Sequence, residues 1–289
     1  MITTSQTPTS LGISRRLGLR LERLWLSALP SLTRDYVWVR AEGLQLYGST
    51  HHQKKLLLME RDSFEPLTVR LFKEAVKPGM VVLDIGAYIG YYALLAAQRV
   101  GAQGRVYAFE CDPRSYRFLL HNVNLNNCSG DVVPIPKGVA DQAGLQRFFL
   151  YGGDLTRSSL WDEHGAETAL EVECSTVDEI LGNQPVDVIK MDIEGGEIRA
   201  LKGMAKTLRN SHNVIMFVEC NPSALSYAGG SAAGLVAELE EYGFRVQVID
   251  DHERCLKPVS HDIYAVRDAR GKRNYCNLYC SKSGYSCDF

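Results

Sequence analysis

The run Val81-Val82-Leu83-Asp84-Ile85-Gly86-Ala87-Tyr88-Ile89-Gly90 constrains the fold more tightly than any other part of the chain. It reads as a short buried strand that passes through two glycines into an apolar helical pattern ending near Val100. Glycine is needed where a backbone turns sharply and lies close to a ligand. The pattern then repeats. Arg105 to Phe109 reads as a strand, and Pro113 to Asn126 as a helix with Asp112 as its cap and proline at its first position. Val132 to Ile135, Val186 to Asp192, Val214 to Val218, Phe244 to Ile249 and Ile263 to Val266 read as further strands. Helices are expected over Glu197 to Arg209 and Ala233 to Tyr242, with extra β segments at 145–151 and 170–175. Strands alternating with helices predict an α/β fold: a mostly parallel sheet covered on both faces.

Composition narrows the class. With 289 residues, 45% hydrophobic and 23% charged, the chain can bury a sizeable core. A formal net charge of −2 leaves no basic footprint, so a nucleic-acid partner is not expected. No apolar run approaches the roughly 20 residues of a spanning helix, so no integral membrane segment is expected either. Among eight cysteines there is no C-x-x-C pair, and most lie in or beside apolar runs, which fits a reduced, cytoplasmic chain better than a zinc site. The N-terminus is Arg-rich and poor in acids, like a transit peptide, yet Leu17, Leu21, Leu24 and Ala28 also share one face of an amphipathic helix. Lys272 to Phe289, with Cys276, Cys280 and Cys287, reads as a polar tail. The expected organisation is therefore an N-terminal helical and β-hairpin extension (1–66), a main domain (67–268) and the tail (269–289). Oligomeric state is left open.

Two ligand classes fit a strand–glycine–helix turn. A dinucleotide site uses G-x-G-x-x-G to lay a pyrophosphate on the helix N-terminus. This chain offers only Gly86-x-x-x-Gly90, with Asp84 beside it. A carboxylate suits the ammonium of a methionine moiety better than a diphosphate, which favours S-adenosylmethionine over a nicotinamide cofactor. Glu110 ends the second strand, where an acid accepts hydrogen bonds from ribose hydroxyls.

Three segments resemble the FkbM family of class I S-adenosylmethionine-dependent methyltransferases. They are V-V-L-D-I-G-A-Y-I-G-Y-Y-A-L-L-A-A at 81–97, G-R-V-Y-A-F-E-C-D-P at 104–113 and V-D-V-I-K-M-D-I-E-G-G-E at 186–197. The resemblance runs over roughly residues 60 to 268. Tyr88 stands where the family more often carries Asn, and Cys111 where Pro is usual. The resemblance implies a Rossmann-like class I fold with a mostly parallel seven-stranded sheet. It implies S-adenosyl-L-methionine as cofactor, contacted by Asp84, Gly86, Ala87, Gly90 and Glu110, with Asp141 beside the adenine. It also implies O-methylation of a hydroxyl on a small molecule or sugar; N-methylation of a peptide or amine acceptor is the alternative.

The acceptor side is expected at the end of the fourth strand. Lys190, Asp192 and Glu194 share one side of an extended chain. Such ionisable groups on an otherwise apolar strand are costly to bury unless paired or functional. Asp192 is the first candidate for the base or acceptor-orienting group, followed by Glu194, Glu219 and Lys190. Asp192, Glu194 and Glu219 also form a set of hard oxygen ligands, although no spacing demands a metal and none is expected. A structural reading remains beside the catalytic one: an ion pair with acids at a helix N-terminus. Two rival classes are an oxidoreductase, which lacks its glycine spacing here, and a catalytically silent nucleotide-binding interaction module. His51, His52, Lys54 and Lys55 read as a solvated loop.

Overall fold

Val39, Ala41, Leu44 and Leu46 are buried and alternate with more exposed neighbours, a period of two that makes two strands with one covered face. These are β1 (Tyr36–Ala41) and β2 (Leu44–Ser49), an antiparallel hairpin. Its two-residue turn, Glu42-Gly43, is left-handed at both positions, as a tight hairpin of this twist requires. The structure is a computed structural model and describes residues 36–128, 130–150, 158–162, 165–166, 168–265 and 274–282. The amphipathic pattern at 17–28 lies outside them.

Two helices follow the hairpin, α1 (Gln53–Glu60) and α2 (Pro66–Ala75). Two βα units come next, β3 (Val81–Ile85) with α3 (Tyr91–Val100) and β4 (Arg105–Phe109) with α4 (Pro113–Leu125). Asp112 caps α4 through the Arg114 N–H, with Pro113 at the first turn, as the sequence predicts. The chain continues through β5 (Val132–Ile135) into a small three-stranded sheet of β6 (Gly138–Val139), β7 (Gly144–Leu150) and β8 (Thr168–Ser175). After α5 (Val177–Leu181), opened by a Thr176/Glu179 capping box, come β9 (Val188–Met191), α6 (Glu197–Gly203), α7 (Ala205–Asn210) and β10 (Ile215–Cys220). The predicted single helix over 197–209 is thus broken at Met204. The last elements are α8 (Pro222–Tyr227), α9 (Ala232–Glu241), β11 (Phe244–Asp250), β12 (Cys255–Pro258) and β13 (Cys276–Lys282).

The main sheet runs β12-β11-β13-β10-β9-β3-β4-β5. From β10 to β5 all neighbours are parallel, and β13 runs antiparallel to both β10 and β11. Seven strands make the expected class I sheet, and β12 adds an eighth at the edge. Alternation along the strands sorts their side chains into two cores. Val82, Val188 and Phe217 face the hairpin and α1 to α4, whereas Leu83, Ile189 and Val218 face α5 to α9.

Two expectations are corrected. The predicted strand at Ile263 to Val266 is instead a short 3₁₀ turn, His261–Tyr264, as far as it is described. The predicted tail contains β13, which pairs with β10 and β11 and buries Leu278, Tyr279 and Cys280. Its sequence, C-N-L-Y-C-S-K, reads as polar because Asn277 and Ser281, though polar, are buried within the sheet rather than solvent-facing. Truncation after Asn274 should therefore expose two facing strand edges. The expected result is loss of a cooperative thermal transition by circular dichroism. An unchanged melting curve would put β13 outside the folding unit.

Candidate functional site

Strand order changes direction between β3 and β9: from β3 the chain builds outward through β4 and β5, and from β9 through β10. Ligands in open α/β sheets bind at such a switch, beyond the carboxyl ends of the strands. Here the two loops touch. A Cβ on Gly86, whose φ is +83°, would lie 1.9 Å from the Asp192 carbonyl oxygen, so only glycine fits. Gly86 and Ala87 donate their N–H groups to the Phe109 carbonyl (3.0 and 2.8 Å), which draws the loop toward β4. Gly90 begins α3 at φ +93°, and a Cβ there would meet Leu119 at 2.7 Å.

A cavity opens over this junction. Phe109, Val139, Phe148 and Leu160 give it apolar walls, while Glu110 stands on one side and Asp192 and Glu194 on the other. Glu110 accepts the Tyr88 N–H at Oε2 (2.8 Å) and the Asp112 N–H at Oε1 (2.7 Å), so its carboxyl is locked in place. Burial pushes its pKa up to about 8, and the nearby Asp112 carboxylate adds to the rise. Tyr88 adopts φ +53°, a conformation that Asn tolerates better than Tyr. Its N–H serves Glu110, and its ring lies 5.2 Å beneath the Lys55 ammonium.

Behind the cavity is a buried cluster of charges. Asp84 and Lys190 are register partners on β3 and β9 and point to the same face. They are 2% and 1% exposed. Lys190 Nζ lies 3.8 Å from Asp192 Oδ2, donates to Asn277 Oδ1 at 3.3 Å, and sits 5.2 Å from the Tyr92 ring centre. Burial opposes its charge, but the Asp192 carboxylate, with that of Glu65, outweighs that, and its pKa is raised. Asp192 shows the mirror image. Burial would raise it, yet the Lys190 and Lys55 ammoniums hold it low and ionised. Glu219 is pushed well above the carboxylate range by burial and by the charges of Asp192 and Glu194, so it is the neutral member of the pair. Asp84 rises to about 7 through burial, against the pull of Lys190.

Six of the ten candidate site residues fall outside the cavity lining. Gly86, Glu110, Asp192 and Glu194 line the cavity. Ala87 and Gly90 are buried in the loop behind it. Asp84, Lys190 and Glu219 belong to the charge cluster beneath it, so Asp84 is placed to balance Lys190. Asp141 is paired with Arg199 at 2.6 Å, which holds its carboxyl low, and Gly138 and Val139 line the cavity in its place. Asp192, Glu194 and Glu219 bring ligand-capable oxygens within 4.8 Å of one another, an arrangement that can hold a divalent cation.

Two features escaped sequence reasoning. Lys55 lines the cavity from α1, and His52 is fully buried against Tyr88 and Phe118, its pKa lowered to about 4 by burial. His51 and Lys54 are exposed as expected, whereas His52 and Lys55 turn inward to wall the site; His-His-x-Lys-Lys has no periodicity that announces this. Glu65 accepts the Tyr92 hydroxyl at 2.5 Å and joins the cluster from the start of α2.

S-adenosylmethionine fits these residues. The apolar walls suit a flat base, the fixed Glu110 oxygens suit vicinal hydroxyls, and the acids opposite suit a cationic sulfonium and ammonium.

The methyltransferase FkbM domain profile matches residues 84–246. A hexuronic acid methyltransferase, AglP, of Haloferax volcanii is 27% identical over 153 residues, covering 51% of this chain and 59% of that protein. The methyltransferase sdnD of Sordaria araneosa is 28% identical over 155 residues, covering 43% of this chain and 60% of that protein. The chain thus spans about three fifths of the length of these curated relatives. Among solved structures, an S-adenosylmethionine-dependent O-methyltransferase of Thermotoga maritima aligns with a TM-score of 0.45 and 13% identity over 86% of this chain and 78% of that one. An S-adenosylmethionine-dependent methyltransferase of Aquifex aeolicus aligns with a TM-score of 0.40 and 17% identity over 74% and 88%.

The raised carboxyls set a pH dependence. Asp84, Glu110 and Glu197 are lifted to about 7, 8 and 7, so between roughly pH 4 and these values the folded chain holds more protons than the unfolded one. Their contribution to stability is complete below pH 4 and is lost as pH rises through 7 to 8. The melting temperature should fall from pH 5 to pH 9, and Glu110→Gln should flatten that slope. A steeper slope in the variant would contradict the assignment.

Proposed function

The chain belongs to the methyltransferase FkbM family, and we propose that it transfers the methyl group of S-adenosyl-L-methionine to a hydroxyl oxygen of a small molecule or sugar. The carrying observation is the cavity at the β3/β9 switch, with Glu110 fixed on one side and ionised Asp192 on the other. The similarity to a protein named as a hexuronic acid methyltransferase supports a sugar acceptor. Gly86, Tyr88 and Glu110 would hold the cofactor, with Val139 and Phe148 against its base. When bound, the cofactor supplies an electrophilic methyl group on a cationic sulfur.

The remaining work falls to the chain. An acceptor hydroxyl must lie in line with the methyl group and away from water, because alignment is a large part of the barrier. Asp192, 29% exposed at the cavity edge, accepts the hydroxyl hydrogen bond and takes the proton as the C–O bond forms. A protonated ether is a stronger acid than any carboxylic acid, so a carboxyl held low can still receive that proton. Lys190 keeps Asp192 ionised and in place, and is a positioning residue. Glu219, being neutral, tunes the charge of the cluster.

Asp192→Asn should lower turnover by about a hundredfold or more while S-adenosylhomocysteine binding, measured by calorimetry, stays within a few-fold. Glu219→Gln, a neutral substitute for a neutral acid, should stay within a few-fold of the wild type in turnover. Equal losses in both variants would mean that Glu219 works as an anion. A chelator tests the second reading, supported by the oxygen cluster of Asp192, Glu194 and Glu219. Activity is expected to survive it, and a loss restored by a divalent cation would reassign these acids as metal ligands.

A further inference from the structure

Strands β10 and β13 run antiparallel, and their register sets Cys220 opposite Cys276. Opposed residues in such a pair hold their Cα atoms about 4.5–5.5 Å apart, with both side chains on one face. A disulfide needs roughly 4.4–6.8 Å, so the backbone already meets its requirement. Among the described residues no other two cysteines are register partners. Cys280, also on β13, faces Met216 and Val246, and Cys174 on β8 faces Gly138 and Gly144. The side chains of the pair also meet: Cys276 pushes the Cys220 thiol up more than burial does.

The two thiols differ in access. Cys220 is buried at the end of β10, whereas Cys276 is half-buried at the start of β13. An oxidant therefore reaches Cys276 first, and Cys220 is the thiol that waits behind it. Buried cysteines otherwise serve as small apolar fillers, the role that Cys128 and Cys280 fit.

We infer that Cys220 and Cys276 are a redox modification site, a cross-strand thiol pair that a peroxide closes to a disulfide, clamping β13 to β10. The inference is independent of the methyl-transfer reading. The Cys276 sulfur attacks one peroxide oxygen and the O–O bond breaks, leaving a sulfenic acid and one water. The Cys220 sulfur then attacks the sulfenic sulfur, the S–S bond forms, and the hydroxyl leaves with the Cys220 proton as a second water. Two thiols are oxidised, and one peroxide is reduced to two waters.

What the bond holds follows from the topology. The chain between the two cysteines contains α8, α9, β11 and β12, so the bond closes a long loop and restricts the unfolded chain more than the folded one. The neighbouring register pair is Glu219 and Asn277, whose side chains lie on the opposite face of the sheet. There Asn277 accepts from Lys190. The cross-link thus secures the strand that brings Asn277 to the buried ammonium.

The test treats the full chain, folded and reduced, with a small excess of hydrogen peroxide, caps the remaining thiols by alkylation and maps the peptides without reduction. The expected product joins the Cys220 peptide to the Cys276 peptide, lighter than their sum by two hydrogens. The melting temperature should rise by roughly 5–10 °C and return to its starting value with dithiothreitol. Cys276→Ala should lose both the cross-link and the shift; if that variant does not fold, the wild-type peptide map decides alone. Both cysteines still alkylated, or Cys276 carried to a sulfinic acid with Cys220 still a thiol, overturns the inference. So does either cysteine joined to another, such as Cys255 or Cys287, and so does a Cys220–Cys276 bond that forms without a rise in melting temperature.

Discussion

The buried ammonium of Lys190 is the charge around which the centre of the molecule is arranged. An isolated ion at 1% exposure costs several kcal/mol even after relaxation, so it persists only with partners. Those partners come from different parts of the chain: Asp84 on β3, Asp192 after β9, Glu219 on β10, Glu65 before α2 and Asn277 on β13. Each is brought to the junction by a different strand or helix start, so the ammonium couples the sheet's central strands to the loops that form the site. It also sorts the carboxyls by protonation. Asp192 is held ionised beside it, while Glu219 and Asp84, more burdened by burial and by other acids, are pushed toward neutrality.

The cavity over the switch follows from where this cluster sits. Parallel strands that change winding direction leave a gap between the loops they feed, and the loops after β3 and β9 come into van der Waals contact at its floor. Gly86 is indispensable there because the Asp192 carbonyl occupies the space a side chain would need. The small β6-β8-β7 sheet then supplies Val139 and Phe148 as an apolar wall.

Much of this was legible in the residues. The buried run at 81–85, the Asp112-Pro113 helix start and the Thr176 capping box all act over a few residues, so local chemistry announces them. Gly86, Glu110, Asp192 and Glu194 share the cavity because strand ends in such a sheet all face one crevice. Asp141 shows what position alone leaves open. A loop carboxylate near the third strand has several neighbours to choose from, and Arg199, 58 residues away, takes it. Lys55 and Asn277 gave no signal because each matters only through a neighbour far away in sequence.

Strand β13 marks the boundary most sharply. Its seven residues alternate apolar and polar groups too weakly to stand out, and nothing local says that they slot antiparallel between β10 and β11. By itself the sequence determined the class of fold, the glycine turn and the acids at the strand ends, since these depend on hydrophobic period, backbone freedom and capping within a few residues. Tertiary structure alone decided which acids are ionised, which residues face the cavity, and that the C-terminal segment completes the sheet. Burial and the sign of neighbouring charges are set by groups far apart along the chain, and they exist only once it has folded.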